Sequence, residues 1–137
     1  LWGEPEAQII YLGHTGEDSR RHWQDNTAVS SIRRSLAAML AQTLNLKAVP
    51  KSANPEDKDR FTNYKLDADS EAKLTAWMRQ HIRIAFLDLP ENDLEAWFLA
   101  LVNYSAPMFV FQHNPNNSFG AQIKQYRLRL AEMAAQA

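Results

Sequence analysis

The sequence of 137 residues contains no cysteine. A chain without thiols has no disulfide framework, no thiolate zinc site and no cysteine nucleophile, and its composition fits a reducing compartment. Glycine is also scarce, with four residues, and these form neither a GxGxxG nor a GxxxxGK phosphate-binding loop. A GxSxG nucleophile turn is missing as well. Most standard nucleotide-binding and hydrolase classes are therefore disfavoured.

Long apolar runs are also lacking. The longest, residues 82–87 and 97–102, are far too short to cross a bilayer. The N-terminal LWGE has no basic segment followed by an apolar core, so no signal peptide is visible, and we expect a cytoplasmic protein without a membrane partner. The chain does not begin with methionine and enters a strand-like run almost at once. We therefore expect further residues upstream of Leu1.

No excess of one charge is present. The sequence has fifteen basic and sixteen acidic residues, for a net charge of −1 and a pI near 6.5. Nucleic-acid binders usually carry a basic footprint, so this balance counts against tight non-specific binding but leaves a local basic patch open. The four histidines, His14, His22, His81 and His113, show no metal-type spacing.

What the sequence does contain is an ordinary globular composition, with 45% hydrophobic and 23% charged residues. Its length predicts one domain, residues 1–137. Apolar periodicity predicts helices at residues 29–46, 69–81, 92–103 and from 119 to the end, with Asp69 as the cap of the second. The first three helices are predicted to bury apolar stripes, which are Ile32, Leu36 and Leu40 in the first, Leu74, Trp77 and Met78 in the second, and Leu94, Trp97, Phe98, Leu101 and Val102 in the third. Short apolar or alternating runs predict strands at residues 7–12, 60–66 and 82–87, and residues 47–58 are predicted to be a loop. The apolar run 108–111 predicts either a short strand or a segment that packs into the core. Short strands mixed with helices without a regular βαβ rhythm predict an α+β fold.

Several short strings occur in a characteristic order. The run IIYLG contains Tyr11, and Arg21 follows it. The strings SSIRRSL, LTAWM, LE and NPNNSF come later, the third containing Glu95. This succession resembles a bacterial branch of the GIY-YIG nucleases over nearly the whole chain. The resemblance implies an α+β fold with a small central, mainly antiparallel sheet flanked by helices.

The resemblance also implies a chemistry, which is hydrolysis of a DNA phosphodiester with a divalent metal, Mg²⁺ or Mn²⁺. Glu95 would hold the metal through a hard carboxylate ligand. Arg21 would bind the scissile phosphate through two guanidinium N–H groups, and Tyr11 would orient or deprotonate the attacking water. Arg20, Arg33 and Arg34 are then candidates for contacts with the nucleic-acid backbone.

Each assignment has an alternative. Tyr11 could be an ordinary strand tyrosine, Arg20 could take the role of Arg21, and Glu95 could serve only to complement a helix dipole. Arg20 and Arg21 could equally form a solvated helix surface.

Two departures from the family pattern are visible. The first family tyrosine is expected at or before Leu1, and the expected asparagine is replaced by the apolar run 108–110. Three functions therefore stay open: an endonuclease, a catalytically weakened nucleic-acid-binding domain, and a protein–protein interaction module. The apolar run leads us to expect weak or absent cleavage.

Overall fold

The computed structural model describes residues 8–13 and 19–137. The chain divides into two compact units. The smaller unit comprises residues 1–17 and 87–120, and the larger comprises residues 18–86 and 121–137. Each unit is described below by itself, and the single-domain assignment stays a prediction.

The described residues contain both helices and a small sheet. The helices are α1 Ser31–Leu40, α2 Ala68–His81, α3 Leu94–Ser105 and α4 Gly120–Ala135, with 3₁₀ helices at Ser19–Trp23, Thr27–Val29 and Glu91–Asp93. Strand β1 Ala48–Val49 pairs antiparallel with β2 Lys65–Leu66, and Ala48 lies opposite Leu66. The fold is α+β, as predicted.

Helix α1 begins where the sequence provides a cap. The side chain of Ser30 accepts a hydrogen bond from the amide of Arg33 at 3.2 Å, which satisfies one of the free amides of the first turn. The helix ends at Leu40, earlier than predicted. Asn45 adopts a left-handed conformation (φ 52°), and the amide of Leu46 donates back to the carbonyl of Ala41. Asparagine tolerates this conformation, so the chain turns there although its apolar period continues.

Helix α2 is capped by Asp67, whose carboxylate accepts the amide of Ser70 at 2.9 Å. The sequence-based assignment of the cap to Asp69 was wrong, because Asp69 lies inside the first turn. The amide of Asp67 also donates to the carbonyl of Lys47, beside the β1–β2 pair. This bond fixes the start of α2 against the sheet.

The core of the larger unit lies between the apolar faces of α1, α2 and α4 and the short sheet. Its buried members include Ile32, Leu36, Tyr64, Leu66, Leu74, Met78, Ile123 and Leu130. The predicted apolar stripes of α1 and α2 therefore face the interior, where burial of such side chains stabilises the fold.

The smaller unit contains α3. Its predicted apolar stripe is only partly buried, because Val102 is fully buried whereas Trp97 is 49% exposed. The helix ends at a left-handed residue, Ala106, whose amide donates to the carbonyl of Val102. Since the side of α3 that carries Val102 faces the interior, the prediction of a buried Trp97 was wrong.

The predicted strands are mostly not strands in the described part of the chain. Residues 82–87 lie outside any strand, and Phe86 is 78% exposed. Of residues 60–66, Lys65–Leu66 is the part that pairs, and it pairs with Ala48–Val49 in the predicted loop. Residues 8–12 are likewise outside strands, and residue 7 lies outside the described residues. Residues 108–111 form no strand, but Phe109 and Val110 are buried, which confirms the alternative of a core-packing segment. Alternation shows which residues could form a strand, but pairing requires a neighbour that local sequence does not supply.

Candidate nucleic-acid and metal site

Tyr11 lies in the smaller unit and is half-buried. The carbonyl of the preceding residue, Ile10, accepts a hydrogen bond from the amide of Phe109 at 3.0 Å. Phe109 belongs to the apolar run 108–110. Within this unit the backbone thus places the segment of Tyr11 beside that run.

The NPNNSF string explains how the apolar run is held. The side-chain amide of Asn114 donates to the carbonyls of Pro107 and Val110, each at 2.8 Å. The side-chain amide of Asn117 donates to Met108 and Val110 at 3.1 and 3.2 Å. Asn114 is buried. These two asparagines act on the backbone of residues 107–110, so the string has a structural role.

Glu95 lies in the first turn of α3 and is exposed. It follows the 3₁₀ helix Glu91–Asp93, so several carboxylates are close in sequence at this helix start. Within residues 8–13 and 19–137 there is no group of three or more His, Asp or Glu side chains arranged for a metal ion. Mg²⁺ usually binds through one or two carboxylates together with water and substrate phosphates. An accessible single carboxylate such as Glu95 fits that type of site.

Arg20 and Arg21 lie in the larger unit, on the 3₁₀ helix Ser19–Trp23. Arg20 is exposed and Arg21 is half-buried. The next residue, His22, is buried, and its Nδ1 lies 2.7 Å from Oγ of Ser30, the cap of α1. The backbone carbonyl of His22 accepts a hydrogen bond from Nη1 of Arg33 at 3.2 Å. The segment that carries the two arginines is therefore anchored to α1 and its cap through both the ring and the backbone carbonyl of His22.

Arg33 is fully buried, so the prediction that it lies on the surface was wrong. Its Nη2 forms an ion pair with Oε2 of Glu71 at 3.0 Å, and its Nη1 donates to Oγ1 of Thr75 at 2.9 Å. Burial lowers the pKa of Arg33, and the charges of Glu71 and Asp25 oppose that effect. A guanidinium saturated inside the protein is not accessible to a phosphate.

Glu71 is the partner that sequence reasoning missed. Its carboxylate accepts the amide of Thr27 at 2.9 and 3.0 Å, the hydroxyl of Thr27 at 3.1 Å and the amide of Leu66 at 2.9 Å. It therefore joins α2 to the 3₁₀ helix Thr27–Val29 and to β2. One sequence signal was available, because Glu71 continues the buried face of Leu74, Thr75 and Met78 at helical spacing. A charged residue on such a face requires a buried partner.

Arg34 is half-buried, and its Nη1 donates to the carbonyl of Ala28 at 2.6 Å. The pKa of Arg34 is lowered to about 10, first by burial and then by the neighbouring charge of Arg127, with a smaller contribution from Arg21. The hydroxyl of Tyr64 donates to the backbone carbonyl of Arg34 and fixes its position. Arg34 is thus held at the start of α1 through both its side chain and its backbone carbonyl.

The comparison with protein families identifies the class of this protein. A family model described as the GIY-YIG catalytic domain matches residues 3–129. The chain therefore belongs to the GIY-YIG family, and it is a nuclease-type domain of a family that binds nucleic acid and uses divalent metals. Comparisons with curated proteins and with solved structures found no match. Among the described residues, the helices are too short or too polar to cross a membrane.

Proposed function

We propose that this chain is a metal-dependent DNA endonuclease domain of the GIY-YIG type. The observation that carries the proposal is the family match over residues 3–129. The motif positions in this chain are held by Tyr11, Arg21 and Glu95, each a residue type suited to phosphodiester hydrolysis. The structure places Tyr11 and Glu95 in the smaller unit and Arg21 in the larger.

The chemistry requires stabilisation of charge that develops on the phosphoryl oxygens. Arg21 supplies a planar guanidinium with two parallel donors for those oxygens, and its segment is anchored to α1 through His22. Tyr11 supplies a phenolic oxygen that orients the attacking water or accepts its proton. Arg20 and Arg34 would bind flanking phosphates, and Arg33 has no such role because it is buried.

Glu95 would hold a Mg²⁺ or Mn²⁺ ion through its exposed carboxylate. A divalent ion in such a site supplies Lewis-acid stabilisation of the phosphoryl oxygens. Glu95 is exposed in the first turn of α3, so a substrate phosphate could share the ion.

A second candidate function is nucleic-acid binding without cleavage. The observation that favours it is the apolar run 108–110 at the position of the family asparagine. The amide of Phe109 in this run is bonded to the carbonyl of Ile10, and the run is held by Asn114 and Asn117. A donor or ligand missing at this point would weaken the reaction while leaving the basic residues of the larger unit able to bind.

The decisive experiment is cleavage of duplex DNA by the wild-type chain and by Glu95→Ala in the presence of Mg²⁺ or Mn²⁺. We expect Glu95→Ala to raise the barrier by about 4 kcal/mol, close to a 1000-fold loss of rate, while DNA binding persists. Glu91→Ala is the matched control, because Glu91 is an exposed carboxylate just ahead of the same helix. It should retain wild-type cleavage.

Three outcomes separate the functions. Cleavage that survives Glu95→Ala contradicts the proposed site. A wild-type chain that binds DNA and does not cut it supports the binding function. A wild-type chain that neither binds nor cuts DNA contradicts both and supports a protein-interaction module.

A further inference from the structure

A cleft in the larger unit lies between the end of the 3₁₀ helix Ser19–Trp23 and helix α2. Its volume is about 510 Å³, and the half-buried indole of Trp23 is part of its lining. Ala72 and Ala76 line it from α2, one helical turn apart. Because these two side chains are short, the surface of α2 leaves room for a ligand beside an aromatic ring.

Asp25 provides this cleft with a fixed hydrogen-bond acceptor. Its Oδ1 accepts the hydroxyl of Thr75 at 2.5 Å, and Oγ1 of Thr75 in turn accepts Nη1 of Arg33 at 2.9 Å. Thr75 and Arg33 are buried, so the carboxylate is attached to a packed part of the protein. Asp25 itself is exposed, and its Oδ2 has no hydrogen-bond partner within residues 8–13 and 19–137. Oδ2 is therefore an oriented acceptor that a ligand can reach.

Arg79 brings the opposite charge to the same cleft. It is exposed, and no carboxylate of the described part of the chain lies within ion-pair distance of it. A small cation would be attracted by Asp25 and repelled by Arg79, and a small anion the reverse. A nucleotide suits all three groups, because its base stacks on an aromatic ring, its base edge carries N–H donors and its phosphate binds a guanidinium.

The chemistry of Asp25 selects among the bases. A carboxylate only accepts hydrogen bonds. Guanine offers two adjacent donors, N1–H and the N2 amino group, on its Watson–Crick edge. Adenine and cytosine place an acceptor nitrogen next to their amino group, which a second carboxylate oxygen would repel, and thymine has a single N–H between two carbonyls. Since base pairing occupies the Watson–Crick edge of guanine, the matching base is an unpaired guanine.

We propose that the cleft formed by Trp23, Asp25 and Arg79 binds an unpaired guanine nucleotide. The base stacks on Trp23, its Watson–Crick edge donates to Asp25, and its phosphate binds Arg79. This inference rests on the proposed function and specifies its substrate as a nucleic acid with a single-stranded guanine. The cleft directly follows the 3₁₀ helix that carries the two arginines assigned to DNA phosphates.

A second cleft of the same unit is less suited to a base. It has a volume of about 290 Å³, and Asp25, Lys51 and Lys65 are among the residues that line it. No aromatic side chain is present among its described lining residues, and Lys51 is paired with Asp57 at 3.2 Å. A base would find no stacking surface there.

The first test measures the affinity of the 137-residue chain for oligothymidylates that carry one central guanine, adenine or cytosine, without divalent metal. We expect the wild type to prefer guanine by about 10-fold. Asp25→Asn should abolish this preference, because its one amide oxygen is held by Thr75 and its NH₂ group meets the donors of guanine. Asp59→Asn is the matched control, since Asp59 is an exposed carboxylate of the same unit outside the cleft. It should keep the preference.

Two further comparisons test the ring and the phosphate. Trp23→Ala should weaken binding of the guanine strand by about 10-fold, whereas Trp23→Phe keeps a stacking ring and should lose no more than about threefold. Arg79→Gln should reduce the slope of log affinity against log salt by about 0.7, the value for one phosphate of a single strand. Lys73→Gln is its control, because Lys73 is an exposed cation on the same helix that pairs with Asp69, and it should leave the slope unchanged.

Equal affinities of the wild type for the three strands would overturn the guanine site, and so would equal losses of preference for Asp25→Asn and Asp59→Asn. If Trp23→Ala does not fold, Asp25→Asn decides, because its side chain is exposed. If the wild type binds no DNA, the proposed function fails, and dGMP then tests the cleft alone. A larger rise in wild-type Tm with dGMP than with dAMP, abolished in Asp25→Asn, supports the site. No rise, or equal rises with the two nucleotides, overturns it.

Discussion

Arg33 and Glu71 form an ion pair of 3.0 Å inside the larger unit, with both side chains almost completely removed from water. The pair connects α1 to α2, and each partner has further hydrogen bonds to backbone groups. Because all these groups are satisfied within the protein, the pair behaves as one structural unit. Removal of either member leaves the other charge buried without its counterion.

Glu71→Gln should therefore destabilise the protein by about 3–5 kcal/mol, the range for breaking a buried ion pair. The measurement is urea unfolding followed by circular dichroism. Lys73→Ala is the control on the same helix, because it removes the exposed pair of Lys73 with Asp69 and should cost no more than about 0.5 kcal/mol. Equal effects for the two variants would contradict the structural role assigned to Arg33.

The cap of α2 should make stability depend on pH. Hydrogen bonds from the side chain and the amide of Ser70 lower the pKa of Asp67 below its ordinary value of 3.8. A lowered pKa in the folded state means that the charged cap stabilises the fold above about pH 4 and that this stabilisation is lost as the pH falls through the folded pKa. Asp67→Ala should cost about 1 kcal/mol at pH 7.

Asp67→Asn keeps a side chain that can cap α2 but removes its negative charge. Asparagine caps helices about as well as aspartate, so this variant should keep most of the stability at pH 7. Its difference from the wild type should shrink as the pH is lowered towards 3. Urea unfolding of both proteins at pH 7 and pH 3 measures this, and a difference that does not change with pH would rule out the assigned cap.

Asn114 should be important for stability although it lies in an irregular segment. Asn114→Ala removes hydrogen bonds to the carbonyls of Pro107 and Val110 and should cost about 1–2 kcal/mol. Asn116→Ala is the control, because Asn116 is exposed in the same turn and should have little effect. Thermal unfolding of the two variants measures these effects. A larger loss of stability for Asn116→Ala than for Asn114→Ala would contradict the role of Asn114 in holding residues 107–110.

The two arginines of the 3₁₀ helix Ser19–Trp23 should differ in catalysis. Arg21→Ala should lower kcat/KM for duplex cleavage by about 100-fold, the effect of losing one donor to the developing charge. Arg20→Ala should act mainly on KM, since Arg20 is exposed and would contact a flanking phosphate. Steady-state kinetics distinguishes the two, and the reverse pattern would assign the catalytic role to Arg20.

The sequence predicted much of the fold and less of the site. The α+β class and the family follow from local strings in order, and both are confirmed. The apolar faces of α1 and α2 were largely readable, since helical periodicity involves residues within one or two turns, whereas the cap of α2 was assigned to Asp69 instead of Asp67. Sites at Tyr11, Arg21 and Glu95 were readable only through the family resemblance, and their roles stay predictions.

The tertiary structure decided what depends on distant partners. Arg33 looked like a surface residue next to Arg34, and its burial depends on Glu71, 38 residues further along the chain. Strand pairing was decided in the same way, because β1 formed within a predicted loop once Leu66 lay opposite Ala48. Local sequence determines which conformations and charges are available, and only packing brings together the partners that make burial of a charge or pairing of a strand favourable.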